Sequence, residues 1–142
     1  MSENTTSKTA KYGLIAARTF LGLIYLLSVS NFFFNFMPVP AYMDRAAAFI
    51  NGLAGSGYFF LFLKIVEGIG GLALVSGKFE SLAGVFIFPV TLNIFLFHLF
   101  LVPEGIAMSA VMLIANILIL VKNRSSYRGL FVEKKSELAF GK

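Results

Sequence analysis

Apolar positions in this 142-residue chain gather into four runs, over roughly residues 12–36, 58–76, 81–101 and 105–121. A helix needs about 20 apolar residues to cross a hydrocarbon core, and each run is of that order. The polar breaks between the later runs are brief. Gly77-Lys-Phe-Glu80 parts the second from the third, and Val102-Pro-Glu-Gly105 parts the third from the fourth, with Pro103 and Gly105 as stop and restart signals. Short connections force neighbouring helices to run in opposite senses. The pattern therefore predicts an all-α, single-domain, antiparallel bundle of four transmembrane helices, followed by a polar tail over 122–142.

The break over 37–57 is longer and has a pattern of its own. Pro38 and Pro40 end the first helix. Beyond them Ala46, Phe49, Ile50 and Leu53 recur at helical spacing, with Asp44 placed to cap. A short helix over about 44–54 is expected, lying in the outer interface of the bilayer across the bundle mouth.

Composition narrows the class. The chain is 58% hydrophobic and 13% charged, against about 25% charged in a soluble domain, too few polar residues to clothe a water-soluble fold. Cysteine is absent, which excludes disulfides and every Cys-ligated cofactor. Tryptophan is absent too, leaving Tyr12, Tyr42 and Tyr58 at the edges of the runs to form an interfacial belt.

The net charge of +5 marks topology, not a nucleic-acid surface. Lys8, Lys11, Lys78, Lys122, Arg124, Arg128, Lys134, Lys135 and Lys142 fall on one side of the predicted bundle, and Arg45 on the other. Both termini are expected to be cytoplasmic. Lys8, Lys11 and Arg18 before Thr19–Leu27 and Ser28-Val-Ser30 also mimic a cleavable signal, but hydrophobicity continues through Phe36 and favours an uncleaved span.

The candidate chemistry lies inside the runs. Lys64 and Glu67 share a helix face within the second span, where a charge near the bilayer centre costs roughly 2.5–3.5 kcal/mol unless it meets a partner or cavity. Arg18, in the first span, is the expected partner of Glu67; the alternative is a Lys64–Glu67 pair, with Arg18 reaching the headgroups. A second group, Asn31, Asn35, Asn93 and His98 with Lys64, is placed to line a cavity under the short helix. His98 is a side chain able to donate or accept a proton, but a single histidine without cysteine forms no metal site. Pro89 is expected to kink the third span and free a carbonyl for Asn93 or water. Gly22, Gly68 and Gly71 offer flat surfaces for close helix approach. No nucleophile–base pair, phosphate-binding loop or metal cluster is visible, so the chain does not read as an enzyme on its own.

Several segments together resemble the DoxX family of small four-helix bacterial membrane proteins. They are Arg18-Thr-Phe-Leu-Gly22-Leu-Ile-Tyr, Asn31-Phe-Phe-Phe-Asn-Phe-Met-Pro-Val-Pro40, Ser56-Gly-Tyr58, Glu67-Gly-Ile-Gly-Gly-Leu-Ala-Leu, Pro89-Val-Thr-Leu-Asn93, Phe97-His-Leu-Phe100 and Arg124-Ser-Ser-Tyr-Arg-Gly-Leu-Phe131. The likeness spans about residues 12–131. It departs from the family at Ser81-Leu-Ala and Val102-Pro103, both in turns. The resemblance implies a place in the bacterial inner membrane and a link to respiratory redox chemistry with quinone as the cofactor. The roles that follow are an accessory or anchoring subunit beside a soluble oxidoreductase, or a structural and assembly factor. A small-solute transporter is the alternative, and four helices would need a homo-oligomer for that.

Overall fold

The computed structural model describes residues 2–131, with side chains for 8–130. Its regular elements over that range are all helices: α1 (Ser2–Phe34), α2 (Asp44–Gly55), α3 (Phe59–Ser76), α4 (Glu80–Phe100), α5 (Ile106–Lys122) and α6 (Arg124–Phe131), with a 3₁₀ turn at Pro103–Gly105 leading into α5. Four segments are long and apolar enough to cross a membrane: Lys8–Phe34, Phe59–Ser76, Glu80–Phe100 and Pro103–Lys122. Outward-facing side chains such as Leu23, Leu27, Ile65, Leu72, Ile114 and Leu118 are apolar, as a lipid environment requires. The tail lysines Lys134, Lys135 and Lys142 lie outside the described residues.

Element ends follow local chemistry. α1 stops two residues before the apolar run does, because Asn35 adopts a left-handed conformation (φ 50°) and Asn31 Oδ1 accepts the Met37 amide at 2.7 Å. Asp44 does not cap α2 as expected. It is the first helical residue, itself left-handed (φ 50°), and no side chain caps that end. α4 runs without interruption from Glu80 to Phe100 with Pro89 inside it. α6 takes up the start of what the sequence suggests is a plain tail.

The long helices pack in a ring, α1 on α3, α3 on α4, α4 on α5 and α5 on α1. Along the α1–α3 seam Arg18 meets Leu74, Gly22 meets Gly71 and Ser28 meets Lys64, so positions ascend on one helix as they descend on the other. Glycine sets the spacing. A β-carbon at Gly22 would sit 2.8 Å from the Gly71 carbonyl oxygen, and one at Gly71 would sit 3.0 Å from that of Gly22. Gly68 is different, since a β-carbon there would make ordinary contact with Val29 at 3.9 Å, so the close approach does not need it. Gly70 fits against Ile87 and Gly84 against Ile119, two close contacts not evident from the sequence pattern.

The middle of the ring is closed by Leu21, Tyr25, Leu74, Ile87 and Ile119, none more than 1% exposed. A hydrogen-bonded chain threads it. Tyr25 and Thr91 hydroxyls lie 2.7 Å apart, Thr91 donates to Asn116 Oδ1 at 2.8 Å, and Asn116 Nδ2 donates to the Gly84 carbonyl at 3.0 Å. Because Thr91 has one proton, its donation to Asn116 makes Tyr25 the donor to Thr91. The chain ties α1, α4 and α5 together and leaves no buried side-chain polar atom unpaired among the described residues.

Candidate functional site

Two polar centres lie at different levels of the bundle, and neither is the Arg18–Glu67 bridge expected from sequence. Arg18 sits at the C-terminal end of α3, where the last helical carbonyls lack intrahelical donors. Its Nη1 donates to Leu74 O at 2.7 Å and to Val75 O at 3.3 Å, and its Nε lies 3.5 Å from Glu80 Oε2. Asn123 Nδ2 donates to the other Glu80 oxygen at 2.7 Å. The guanidinium lies over Gly77, whose left-handed φ of 70° and missing side chain admit it. Leu74 is seven residues from Glu67, about 11 Å along the helix. Arg18 therefore meets a complete set of acceptors well short of Glu67. Glu80 and Asn123 complete this staple; the signal for Glu80 is its place directly after the Gly77 turn, at a helix N-terminus that favours an anion.

Glu67 pairs with Lys64 instead. The Lys64 Nζ to Glu67 Oε2 distance is 2.7 Å, one helical turn apart on α3, and Nζ also donates to Ser28 Oγ on α1 at 2.7 Å. The Glu67 side chain is 3% exposed and that of Lys64 13%. Pairing offsets the cost of taking each group out of water. Ser28 of α1 supplies the third member.

The pair forms the floor of a chamber of about 430 Å³. Its roof is α2, through Phe49, Ile50 and Leu53, the apolar face expected of the short helix. Phe59, Phe60, Phe62 and Phe97 supply aromatic walls, and Pro89, Asn93 and His98 come from α4. The Asn93 side chain is exposed within this setting and makes no hydrogen bond among the described residues, so it does not take up a carbonyl freed by Pro89. Of the expected polar group, Lys64, Asn93 and His98 come together here. Asn31 and Asn35 do not: they close the end of α1 and are consumed by that turn.

His98 is fixed by its own loop. Its Nδ1 lies 2.9 Å from Val102 O, and its ring rests directly on Gly105, where any side chain would collide with it. The carbonyl accepts only, so Nδ1 carries a proton, and a neutral ring leaves Nε2 as an acceptor. Tyr42 stands edge-on to Phe97 with ring centroids 5.4 Å apart. Above α2 and the α4–α5 turn lies a second, outer groove of about 730 Å³, lined in part by Asp44, Arg45, His98 and Glu104.

No protein-family model, curated protein or solved structure matches the chain. The chemistry of the chamber therefore has to be read from its own residues. It offers an ammonium, an amide and an imidazole around a flat aromatic space, and no cluster of metal-ligating side chains among the described residues. That set is suited to hydrogen bonding and stacking.

Proposed function

We propose that this protein is a bacterial inner-membrane protein of the DoxX-like type, an accessory or anchoring subunit of a quinone-linked redox complex, whose chamber seats the ring of the quinone. The observation that carries this reading is the buried Lys64–Glu67 pair facing an aromatic chamber in which the Asn93 amide has no internal partner. At about 430 Å³ the chamber falls in the range of roughly 300–1,000 Å³ usual for small-molecule sites. Lys64 has an N–H beyond the two it uses, and Asn93 has both of its own. Together they supply donors for carbonyl oxygens of a ring stacked among the phenylalanines.

The topology we propose is an antiparallel up-down-up-down bundle with both termini cytoplasmic and α2 lying in the outer interface. The inverse order of contacts along α1 and α3 supports the first part. Lys78, Lys122, Arg124 and Arg128 all flank the end that carries the Arg18–Glu80 staple, which supports the second. The apolar face that α2 turns to the chamber supports the third.

The test is quinone binding by protein purified in mild detergent. Wild type is expected to retain or take up one quinone per chain. Asn93→Leu and Lys64→Met are expected to weaken binding about tenfold or more, the loss of one good hydrogen bond or its charged equivalent. A wild-type protein that neither retains nor binds quinone would sink the proposal. A structural role draws its support from the closed Ser28–Lys64–Glu67 set; under it, Glu67→Gln lowers abundance while the surviving protein shows no ligand defect.

A further inference from the structure

The chamber and the outer groove have two side chains in common, Tyr42 and His98. We infer that the two spaces are compartments of one water path, with Tyr42 and His98 as the partition between them, so that the Lys64–Glu67 pair exchanges water and protons with the α2 face alone. This deepens the ligand-binding reading, on which it rests: a lipid-soluble ring enters from the bilayer, and the polar traffic of the same site enters from the groove.

Three observations carry the inference. On the groove side the lining is charged, with Asp44, Arg45 and Glu104 around His98, so water is stable up to the partition. On the chamber side the first polar groups beyond the partition are Asn93, then Lys64 and Glu67. Toward the opposite end of the bundle the interior is filled. Leu21, Tyr25, Leu74, Ile87 and Ile119 fill the section between the pair and the Arg18–Glu80 staple at 1% exposure or less. The partition itself is asymmetric. His98 is held on the groove side by Val102 O and Gly105, whereas Tyr42 belongs to the irregular segment before α2, held among the described residues by its ring contact with Phe97. Tyr42 is the part free to swing. Phe62, 57% exposed, and the exposed Asn93 mark the separate lateral mouth between α3 and α4.

The sequence contains no cysteine, so single-cysteine variants report access without background. Ser28→Cys and Asn93→Cys place a thiol in the chamber, Glu104→Cys one in the groove, and Ser125→Cys one at the opposite end. Each is reconstituted in vesicles and treated with a small, permanently charged, membrane-impermeant methanethiosulfonate from either side. The chamber thiols are expected to react from the side that labels Glu104→Cys and to stay unreacted from the side that labels Ser125→Cys. His98→Ala is expected to raise that rate at least tenfold, and Tyr42→Ala to do the same. Labelling from the Ser125 side would overturn the inference. So would silence of both chamber thiols while Glu104→Cys reacts, or rates indifferent to residues 42 and 98. Asn93→Cys, at an exposed position, keeps the test available if Ser28→Cys fails to fold. No quinone enters the assay, so a protein that binds none can still show the one-sided access, and the two readings fail independently.

Discussion

At the scale of single residues, the buried charges decide most. Lys64 and Glu67 neutralise each other at 2.7 Å with almost no exposure, so removing one strands the other in a low-dielectric interior. Glu67→Gln and Lys64→Met are each expected to cost about 3–5 kcal/mol of stability. The double variant should cost less than either single change. Denaturant unfolding in detergent micelles measures all three, and strictly additive losses would show that the two side chains do not act as a pair. Ser28→Ala removes one hydrogen bond from the same ammonium and should cost about 1.5–3 kcal/mol, the range for a bond to a charged group. The sequence shows that Lys64 and Glu67 share a face, because helical spacing alone fixes that. It does not show where Arg18 goes, because that depends on which carbonyls a neighbouring helix end leaves unpaired at the same level. Asn31 and Asn35 mislead for a related reason. The Asn31 side chain serves the turn that follows α1 and Asn35 supplies its left-handed backbone, and a short polar side chain near a helix end bonds to its own backbone as readily as it lines a cavity.

At the scale of helices, close approach separates glycines that look alike in sequence. Gly22 faces the Gly71 carbonyl oxygen with 2.8 Å available for a β-carbon, whereas Gly68 leaves 3.9 Å to the nearest side-chain atom. Gly22→Ala is therefore expected to lose about 1–3 kcal/mol through overpacking, and Gly68→Ala to stay within about 0.5 kcal/mol of wild type. Thermal unfolding of the two variants side by side tests this, and equal effects would contradict the packing described. The extents of α3, α4 and α5 are legible in the apolar runs, since length and hydropathy suffice for them. α6 is not, because eight polar-rich residues form a helix only by docking. Tyr127 does the docking: its hydroxyl donates to Ser81 O at 2.8 Å, and burial, reinforced by the nearby Glu80 carboxylate, raises its pKa above the ordinary value. A raised phenol pKa means the folded state keeps its proton after the unfolded state has lost it. The contribution of Tyr127 is thus complete below about pH 10 and fades as pH climbs through the folded value. Tyr127→Phe should cost about 1 kcal/mol at neutral pH and should flatten the alkaline decline in stability expected of wild type.

At the scale of the whole molecule, the bundle is tight at one end and open at the other. The Arg18–Glu80–Asn123 staple joins α1, the end of α3, the start of α4 and the end of α5. Each charge also complements a helix terminus, Arg18 the carbonyl end of α3 and Glu80 the amide end of α4. Above it the Tyr25–Thr91–Asn116 chain cross-links α1, α4 and α5 at the closed waist. Beyond that waist the helices part around the chamber, and α2 covers the gap with one buried residue, Ala46, and an apolar face. Such a gradient places opening motions at the α2 end, where few buried contacts resist them. Amide exchange in micelles should accordingly be slowest around Leu74, Ile87 and Ile119 and fastest over residues 37–57. Arg18→Gln gives the decisive contrast, because it withdraws donors from the Leu74 and Val75 carbonyls and unpairs Glu80 without touching the chamber. Protection is expected to fall by about tenfold or more through Leu74–Glu80, the equivalent of roughly 1.4 kcal/mol, while exchange over α2 stays unchanged. If α2 loosened in step with the α3–α4 turn, the two ends would be one cooperative unit, and the contrast between a tight base and a looser α2 end would be overturned.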